Sequence, residues 1–244
     1  MTSAAADVPD AVPSLAVVVP ARNEEQRLPR CLDALVAADL AVRHTVPSAS
    51  PTRIVVVLDS CTDDSRSVVE RYPGVELVIC TVGNVGAARA AGVDHLLSAG
   101  PAAPQWIACT DADSAVPAGW LVDHLRHACA DTDLLLGLIR PDADELQPSS
   151  FNRWMSQYHL RDGHPHIHGA NMGVRTTMYR RAGGFLPLAE HEDVALTHSI
   201  RALSGRVVSV SANPVLTSAR VDGRTPGGMA GYLRALTPLA VVVD

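Results

Sequence analysis

The chain has 244 residues, of which 47% are hydrophobic and 19% are charged, and its formal net charge is −6 with a pI of about 5.9. A chain of this size and composition can bury the core of one generous α/β domain, which argues against intrinsic disorder. All 20 basic side chains are arginine and none lies in a basic run, so we expect no nucleic-acid partner.

The chain carries no recognisable targeting or membrane signal. Residues 1–13 lack the basic and apolar regions of a secretory signal, and we expect them to be a flexible tail. No apolar run reaches the roughly 18 residues that a membrane span needs. The five cysteines form no C-x-x-C pair and are interpreted as small core residues in a reducing compartment. These features predict a cytoplasmic protein without a transmembrane segment, and leave peripheral membrane contact open.

The first 140 residues alternate apolar, β-branched runs with helical patterns. Leu28, Cys31, Leu32 and Leu35 recur at the spacing of one helix face. Continuous apolar strands predict a doubly wound, mostly parallel sheet with helices on both faces. The predicted strands are 15–19, 54–58, 75–80, 106–109 and 134–139; the predicted helices between them include one around 68–69, one over 85–97 and one that begins at Pro117.

The pattern is looser after Arg140. We expect helices over 151–160 and 192–203, and two short strands over 207–210 and 215–217. We expect no separate second domain, so that residues 14–244 form a single unit.

Polar segments follow four of the predicted strands. Ligands of parallel sheets bind beyond the carboxyl ends of the strands, so these segments are expected to meet at one crevice. Because three of the four carry carboxylates, a divalent cation is expected to mediate the contact with any bound phosphate. The segments are 20–25, 59–64, 83–86 and 110–114.

The central motif is Asp111-Ala112-Asp113. Hard carboxylate oxygens suit Mg²⁺ or Mn²⁺, which bind through one or two carboxylates together with substrate phosphates. A solvated turn is the alternative, since aspartate is common in turns. At the end of the second strand, Asp59 is either a turn residue or an acceptor for a nucleobase N–H, and the nearby Asp63 and Asp64 are interpreted mainly as helix-capping residues.

Two further motifs have both a structural and a functional interpretation. Arg89 lies one turn into a helix rich in small residues, where it either binds a diphosphate or is a solvated side chain on a tightly packed helix. Glu192 and Asp193 open a predicted helix, where they either cap it or supply a general base. His164, His166 and His168 alternate like metal ligands, but three neighbours on one strand seldom converge on one ion.

Taken in order over roughly residues 14–200, these motifs resemble those of the family 2 glycosyltransferases. Residues 17–25 look like the family's opening strand and nucleotide-contacting turn, and residues 56–63 like its second strand. The family's helix with a nucleotide-contacting arginine resembles residues 86–89, and its D-x-D motif resembles residues 111–113. The segment beneath the donor sugar resembles residues 169–172, and the E-D motif resembles residues 191–193. The nucleotide-side residues that this resemblance implies are Pro20, Arg22, Glu24, Asp59, Arg89, Asp111, Ala112 and Asn171.

The resemblance implies a GT-A fold with a nucleotide-binding half over 14–140 and an acceptor-side half over 141–244. It also implies inverting transfer of one sugar from a nucleotide-sugar, with a UDP-sugar favoured. Asp193, beside Glu192, would act as the base, while Asp111 and Asp113 would hold Mn²⁺ or Mg²⁺. No Q-x-x-R-W motif or membrane span of a processive synthase is present, which favours a small or lipid-like acceptor.

Other assignments stay open at this point. A retaining GT-A transferase differs only in product stereochemistry, and a catalytically silent nucleotide-binding scaffold would share the fold. A nucleotidyltransferase would usually carry a glycine-rich loop after the first strand, where this chain has Pro20-Ala21-Arg22-Asn23. The resemblance does not cover residues 205–244, in which Arg220, Arg224 and glycines 223, 227 and 228 form either a lid over the diphosphate or, as we slightly prefer, a surface loop.

Overall fold

The structure is a computed structural model that describes residues 12–223 and 228–236. Most of the expected N-terminal tail, together with Arg224 and Gly227, therefore lies outside the described residues. The described part contains eight strands and eight α-helices. The strands are β1 Leu15–Ala21, β2 Arg53–Asp59, β3 Val75–Cys80, β4 Trp106–Cys109, β5 Ser114–Ala115, β6 Leu134–Pro141, β7 Met172–Arg175 and β8 Val207–Thr217. The helices are α1 Leu28–Thr45, α2 Ser65–Val69, α3 Val85–Leu97, α4 Trp120–Cys129, α5 Pro148–Gln157, α6 Thr176–Arg181, α7 Glu192–Ala202 and α8 Met229–Leu236.

The eight strands form one mixed sheet in the order β3-β2-β1-β4-β7-β6-β8-β5. The neighbours β3, β2, β1 and β4 run parallel, as do β6 and β8. Strand β7 is antiparallel to both of its neighbours, and the two-residue β5 is antiparallel to β8. The predicted α/β architecture and its mostly parallel sheet are confirmed.

The sheet is covered on both faces, as its continuous apolar strands predict. Successive side chains of a strand point to opposite faces. In β1, Leu15, Val17 and Val19 pack in the cluster that includes α1 and α4. Ala16 and Val18 pack in the second cluster, which includes α3, α6 and α7. Packing on both faces holds β1, β2 and β4 in place, and the candidate site lies beyond the carboxyl ends of these strands.

Several predicted boundaries were wrong. Helix α4 begins at Trp120 and not at Pro117, whose carbonyl instead accepts a hydrogen bond from the Trp120 N–H. Helix α5 spans 148–157, because Pro148 suits its first turn and the chain turns extended at Tyr158. The strands expected over 207–210 and 215–217 are one strand, β8, with a register shift opposite 137–139. No described helix is long and apolar enough to cross a membrane.

Candidate active site

A cavity of about 820 Å³ lies beyond the carboxyl ends of β1, β2 and β4. Its walls also include the start of α7, part of α5 and the chain that follows β8. Every predicted site residue except Asn171 lines it, namely Pro20, Arg22, Glu24, Asp59, Arg89, Asp111, Ala112, Asp113, Glu192 and Asp193. Motifs that lie up to 173 residues apart in the sequence, from Pro20 to Asp193, are thus brought to one crevice.

Arg89 connects the D-x-D motif to the start of α7. Its guanidinium donates to Asp111 Oδ1 at 2.5 Å and to Glu192 Oε1 at 3.1 Å, and its side chain is only 2% exposed. Burial disfavours the charged form of Arg89, but Asp111 and Glu192 outweigh burial and raise its pKa. Gly169 lets the guanidinium approach, since a Cβ there would lie 2.5 Å from Arg89 Nη1. Arg89 is therefore a buried ion-pairing residue at the cavity wall, which rules out the solvated side chain considered from the sequence.

Asp113 is held by a second arginine, which the sequence analysis placed in a surface loop. Arg220 donates to both oxygens of Glu24, at 2.9 and 2.7 Å, and lies 3.0 Å from Asp113 Oδ2. Burial and the neighbouring Asp111 raise the pKa of Asp113 to about 6, although Arg220 acts in the opposite direction. The surface-loop interpretation was thus wrong for Arg220, and Gly223 and Gly228 also line the cavity.

Asp59 forms the floor of the cavity at the end of β2. Its Oδ1 accepts hydrogen bonds from the Gly83 N–H and the Ser60 hydroxyl, both at 3.0 Å. Asp63 accepts the Ser65 and Glu25 N–H groups and so joins α2 to the turn after β1. Asp64 occupies the N-cap position of α2, but its side chain makes no capping bond there, so the capping role falls to Asp63 alone.

Asp193 and Glu192 are adjacent but lie in different surroundings. Asp193 Oδ2 accepts the Gly169 N–H at 2.6 Å and Oδ1 accepts the Val194 N–H at 2.8 Å, in the first turn of α7. Glu192 is buried against Arg89, and burial raises its pKa. Asp193 is half-buried on the cavity wall, so it is the carboxylate of the two that a bound molecule can reach.

Asn171 lies beneath the cavity and does not line it. Its amide Nδ2 donates to the Leu138 carbonyl at 2.6 Å, and its Oδ1 accepts the Trp120 indole N–H at 2.8 Å. Gly137 makes room for it, since a Cβ there would lie 2.3 Å from the amide nitrogen. Its contacts therefore join β6, α4 and the chain entering β7.

The alternate histidines form no metal cluster in the described part of the chain, where no group of three or more His, Cys, Asp or Glu residues could hold an ion. They belong instead to a stack of rings. Tyr158 stacks on Trp154 at 4.2 Å and on His166 at 4.0 Å, and its hydroxyl lies 2.6 Å from His168 Nε2. Trp154 and Tyr158 were not predicted to line the cavity, because their i, i+4 spacing is also that of an ordinary buried helix face.

The carboxylates of Asp111 and Asp113 fit a divalent cation whose remaining ligands come from a substrate. Asp111 and Asp113 lie just after the end of β4 and line one cavity, and hard oxygen ligands of this kind suit Mg²⁺ and Mn²⁺. The buried Asp113 carboxyl has a raised pKa, so a nearby positive charge would stabilise its ionised form. Among the described residues no third His, Cys, Asp or Glu forms a metal-binding group with them, so phosphate oxygens and water would complete the coordination.

Comparison with known proteins finds one matching family model and solved structures of similar fold. A family model described as glycosyl transferase family 2 matches residues 16–183. No curated protein sequence matches the chain. Among solved structures, Staphylococcus aureus TarS 1–349 in complex with UDP has a TM-score of 0.60 at 18% identity, over 85% of this chain and 61% of that one.

Two further structures are similar in fold. The mannosyltransferase PcManGT from Pyrobaculum calidifontis, in complex with GDP-Man and Mn²⁺, has a TM-score of 0.62 at 19% identity, over 93% of this chain and 64% of that one. Glucosyl-3-phosphoglycerate synthase from Mycobacterium tuberculosis, in complex with Mn²⁺, UDP and phosphoglyceric acid, has a TM-score of 0.56 at 14% identity, over 92% and 77% of the two chains. The chain spans about three fifths of the length of the TarS 1–349 chains it matches. These similarities support the GT-A fold.

Proposed function

The chain belongs to glycosyl transferase family 2, and from this premise we propose that it moves one sugar from a nucleotide-sugar to an acceptor hydroxyl with inversion at the anomeric carbon. A single observation carries the proposal: Asp111 and Asp113 line the same cavity as the accessible carboxylate of Asp193. A cation-binding pair and a base are the two groups that direct displacement of a nucleoside diphosphate requires.

The nucleotide is proposed to lie along the ends of β1 and β2. Pro20, Arg22 and Asp59 line this end of the cavity. Asp59 is proposed to accept an N–H from the base. A lone carboxylate suits the imide N–H of uracil, so a UDP-sugar is the favoured donor. Bound to Asp111 and Asp113, a divalent cation would offset the negative charge that develops on the leaving diphosphate.

Asp193 is proposed to accept the proton of the acceptor hydroxyl as that oxygen attacks the sugar. The N–H groups of Gly169 and Val194 hold the carboxylate in place. Glu192 is paired with Arg89, so its role is to fix Arg89 beside Asp111 and not to take the proton.

The first test is binding of UDP, GDP, TDP, CDP and ADP, with and without Mn²⁺, measured as the shift of the thermal midpoint. A ligand that binds only the folded state adds about 2.7 kcal/mol at 100 times its Kd, which moves the midpoint by roughly 5–10 °C in a chain of this size. We expect a Mn²⁺-dependent shift with one nucleotide. No shift with any of the five would overturn the assignment of a donor site.

Variants separate the two proposed roles. Asp113→Ala should abolish the Mn²⁺-dependent shift, while Asp193→Asn should keep it and lose sugar transfer. Asp131→Asn, which changes an exposed carboxylate outside the cavity, is the matched control and should change neither. Transfer that survives in Asp193→Asn would refute the role of the base, and NMR of the product's anomeric proton would separate inversion from retention.

A further inference from the structure

Four rings form a continuous stack along the cavity. We call this the ring wall: Trp154, Tyr158, His166 and His168. Tyr158 lies between Trp154 at 4.2 Å and His166 at 4.0 Å, with interplanar angles of 27° and 15°. His166 and His168 stack at 6.0 Å. Tyr158, His166 and His168 are partly exposed where they line the cavity, whereas Trp154 is buried.

The ring wall adjoins the proposed base. His168 is followed directly by Gly169, whose N–H donates to Asp193 Oδ2 at 2.6 Å. A molecule that contacts His168 is thereby brought beside the Asp193 carboxylate. The nucleotide-side carboxylates Asp59, Asp111 and Asp113 belong to other strand ends, so the wall is free for the second substrate.

One ring nitrogen of His168 is engaged by the wall itself. The Tyr158 hydroxyl lies 2.6 Å from His168 Nε2 and its oxygen accepts the Ile139 N–H at 3.4 Å. Among the residues that the structure describes, none forms a hydrogen bond with His168 Nδ1. A neutral imidazole carries a donor on one nitrogen and an acceptor on the other, so in either tautomer Nδ1 can pair with a ligand hydroxyl.

The wall carries no charge at neutral pH. Burial first, and then His166 and His164, lower the pKa of His168 to about 3. Burial also lowers the pKa of His166, with His164 and His159 adding to the effect. The other described side chains that line the cavity from α5, residues 165–170 and α8 are uncharged as well: Gln157, Pro165, Ile167, Ala170, Met229, Ala230 and Tyr232.

We propose that the ring wall is the acceptor subsite, and that it takes an uncharged compound with hydroxyl groups and an apolar face, such as a neutral glycoside. A phosphate or carboxylate seated here would lose water without gaining a cationic partner from the described residues of the wall and of the segments beside it, which is costly. A neutral hydroxyl loses far less and can pair with the imidazole nitrogens. This inference rests on the proposed function, because it treats the cavity as a transferase site.

The test compares two probes that differ by one phosphate: 4-nitrophenyl β-D-glucopyranoside and its 6-phosphate. Each is titrated calorimetrically into protein saturated with Mn²⁺ and the nucleotide identified above. We expect the neutral glucoside to bind at least tenfold more tightly than the phosphate. Tyr158→Phe, which keeps the stack and removes the hydroxyl, should weaken the neutral glucoside at least fivefold and leave nucleotide binding unchanged.

A charge placed on the wall gives the converse result. Gln157 is exposed and lines the cavity, so Gln157→Arg should shift the preference at least tenfold towards the phosphate. Ser156→Arg adds the same charge at the neighbouring exposed position outside the cavity, and should leave the preference unchanged.

Three results would overturn the proposal: equal or tighter binding of the phosphate by the unaltered protein, binding of neither glucoside, or equal effects of the two arginine variants. The nucleotide titration is separate, so its failure counts against the proposed function. The glucosides are then titrated into nucleotide-free protein, where the same tenfold preference is expected of the wall.

Discussion

Replacement of Arg89 by methionine should destabilise the protein through the carboxylate that it leaves behind. The Glu192 side chain is 6% exposed and has Arg89 as its ion-pair partner at 3.1 Å, whereas that of Asp111 is 38% exposed and can be hydrated. Removing one partner of a buried pair costs about 3–5 kcal/mol. Because water can reach Asp111 and the raised pKa of Glu192 eases its protonation, we expect the lower end, about 3 kcal/mol.

The assay is equilibrium unfolding in urea at pH 7, followed by the fluorescence of three buried tryptophans, Trp106, Trp120 and Trp154. Glu192→Gln in the Arg89→Met background removes the stranded charge and should restore about 1–2 kcal/mol. Arg66 and Glu70 form an exposed pair at 2.7 Å, one helical turn apart, and give the control. Arg66→Met should cost no more than about 0.5 kcal/mol.

Additive effects of the two substitutions on the free energy of unfolding would refute the proposed coupling of Arg89 with Glu192. If the Arg89→Met and Glu192→Gln effects add within about 0.5 kcal/mol, the two side chains are not energetically coupled in the folded protein. A double variant less stable than Arg89→Met alone would exclude the stranded carboxylate as the cause.

Three further perturbations test other parts of the structure. Gly86→Ala puts a Cβ 2.0 Å from the Leu186 backbone oxygen, so we expect a loss of about 2–3 kcal/mol in urea unfolding; a loss below 0.5 kcal/mol would contradict the close approach of α3 to that loop. Burial lowers the pKa of His124 to about 3, so below pH ~6.5 the unfolded chain takes up a proton that the folded protein does not. The stability of the folded protein therefore decreases as the pH is lowered below this value. Between pH 7 and pH 5 this group should lower the free energy of unfolding by about 2 kcal/mol. His124→Gln should remove this part of the pH dependence, and an unchanged pH profile in the variant would disprove it. Arg220→Gln removes the guanidinium that lies 3.0 Å from Asp113 Oδ2, so Mn²⁺ in the absence of nucleotide should bind at least tenfold more tightly by EPR titration, and weaker binding would show that Arg220 supports the cation instead of competing with it.

The nucleotide side of the fold could be predicted from the sequence because its signals are local. Strand β4 is a continuous apolar run and β3 is apolar except for Glu76, and both have the bounds that their patterns predict. Asp59 is the last residue of β2 and Asp111 lies two residues after β4, so the rule that ligands bind beyond the carboxyl ends of parallel strands places both at one crevice.

The remaining features depend on contacts between residues far apart in the sequence. Arg220 pairs with Glu24 across 196 positions, and nothing near Arg220 indicates an ion pair. Asn171 resembles a ligand-binding amide, yet its partners are Trp120 and the Leu138 carbonyl. Strand β5 has only two residues and β7 has four, which is too short for a periodic pattern, so their antiparallel pairing had no signal.

The placement of β7 has a consequence for how such a protein diversifies. The chain leaves the sheet after Pro141 at the end of β6 and returns at Met172 on the antiparallel neighbour β7. Residues 142–171 therefore begin and end at the same end of two neighbouring strands. This excursion supplies the ring wall. Its length and composition can change while the pairing of β6 with β7 is preserved, in the way that a hairpin loop can be exchanged on fixed strands. Sequence change within the excursion would therefore alter what the cavity accepts and leave the carboxylates after β4 in place.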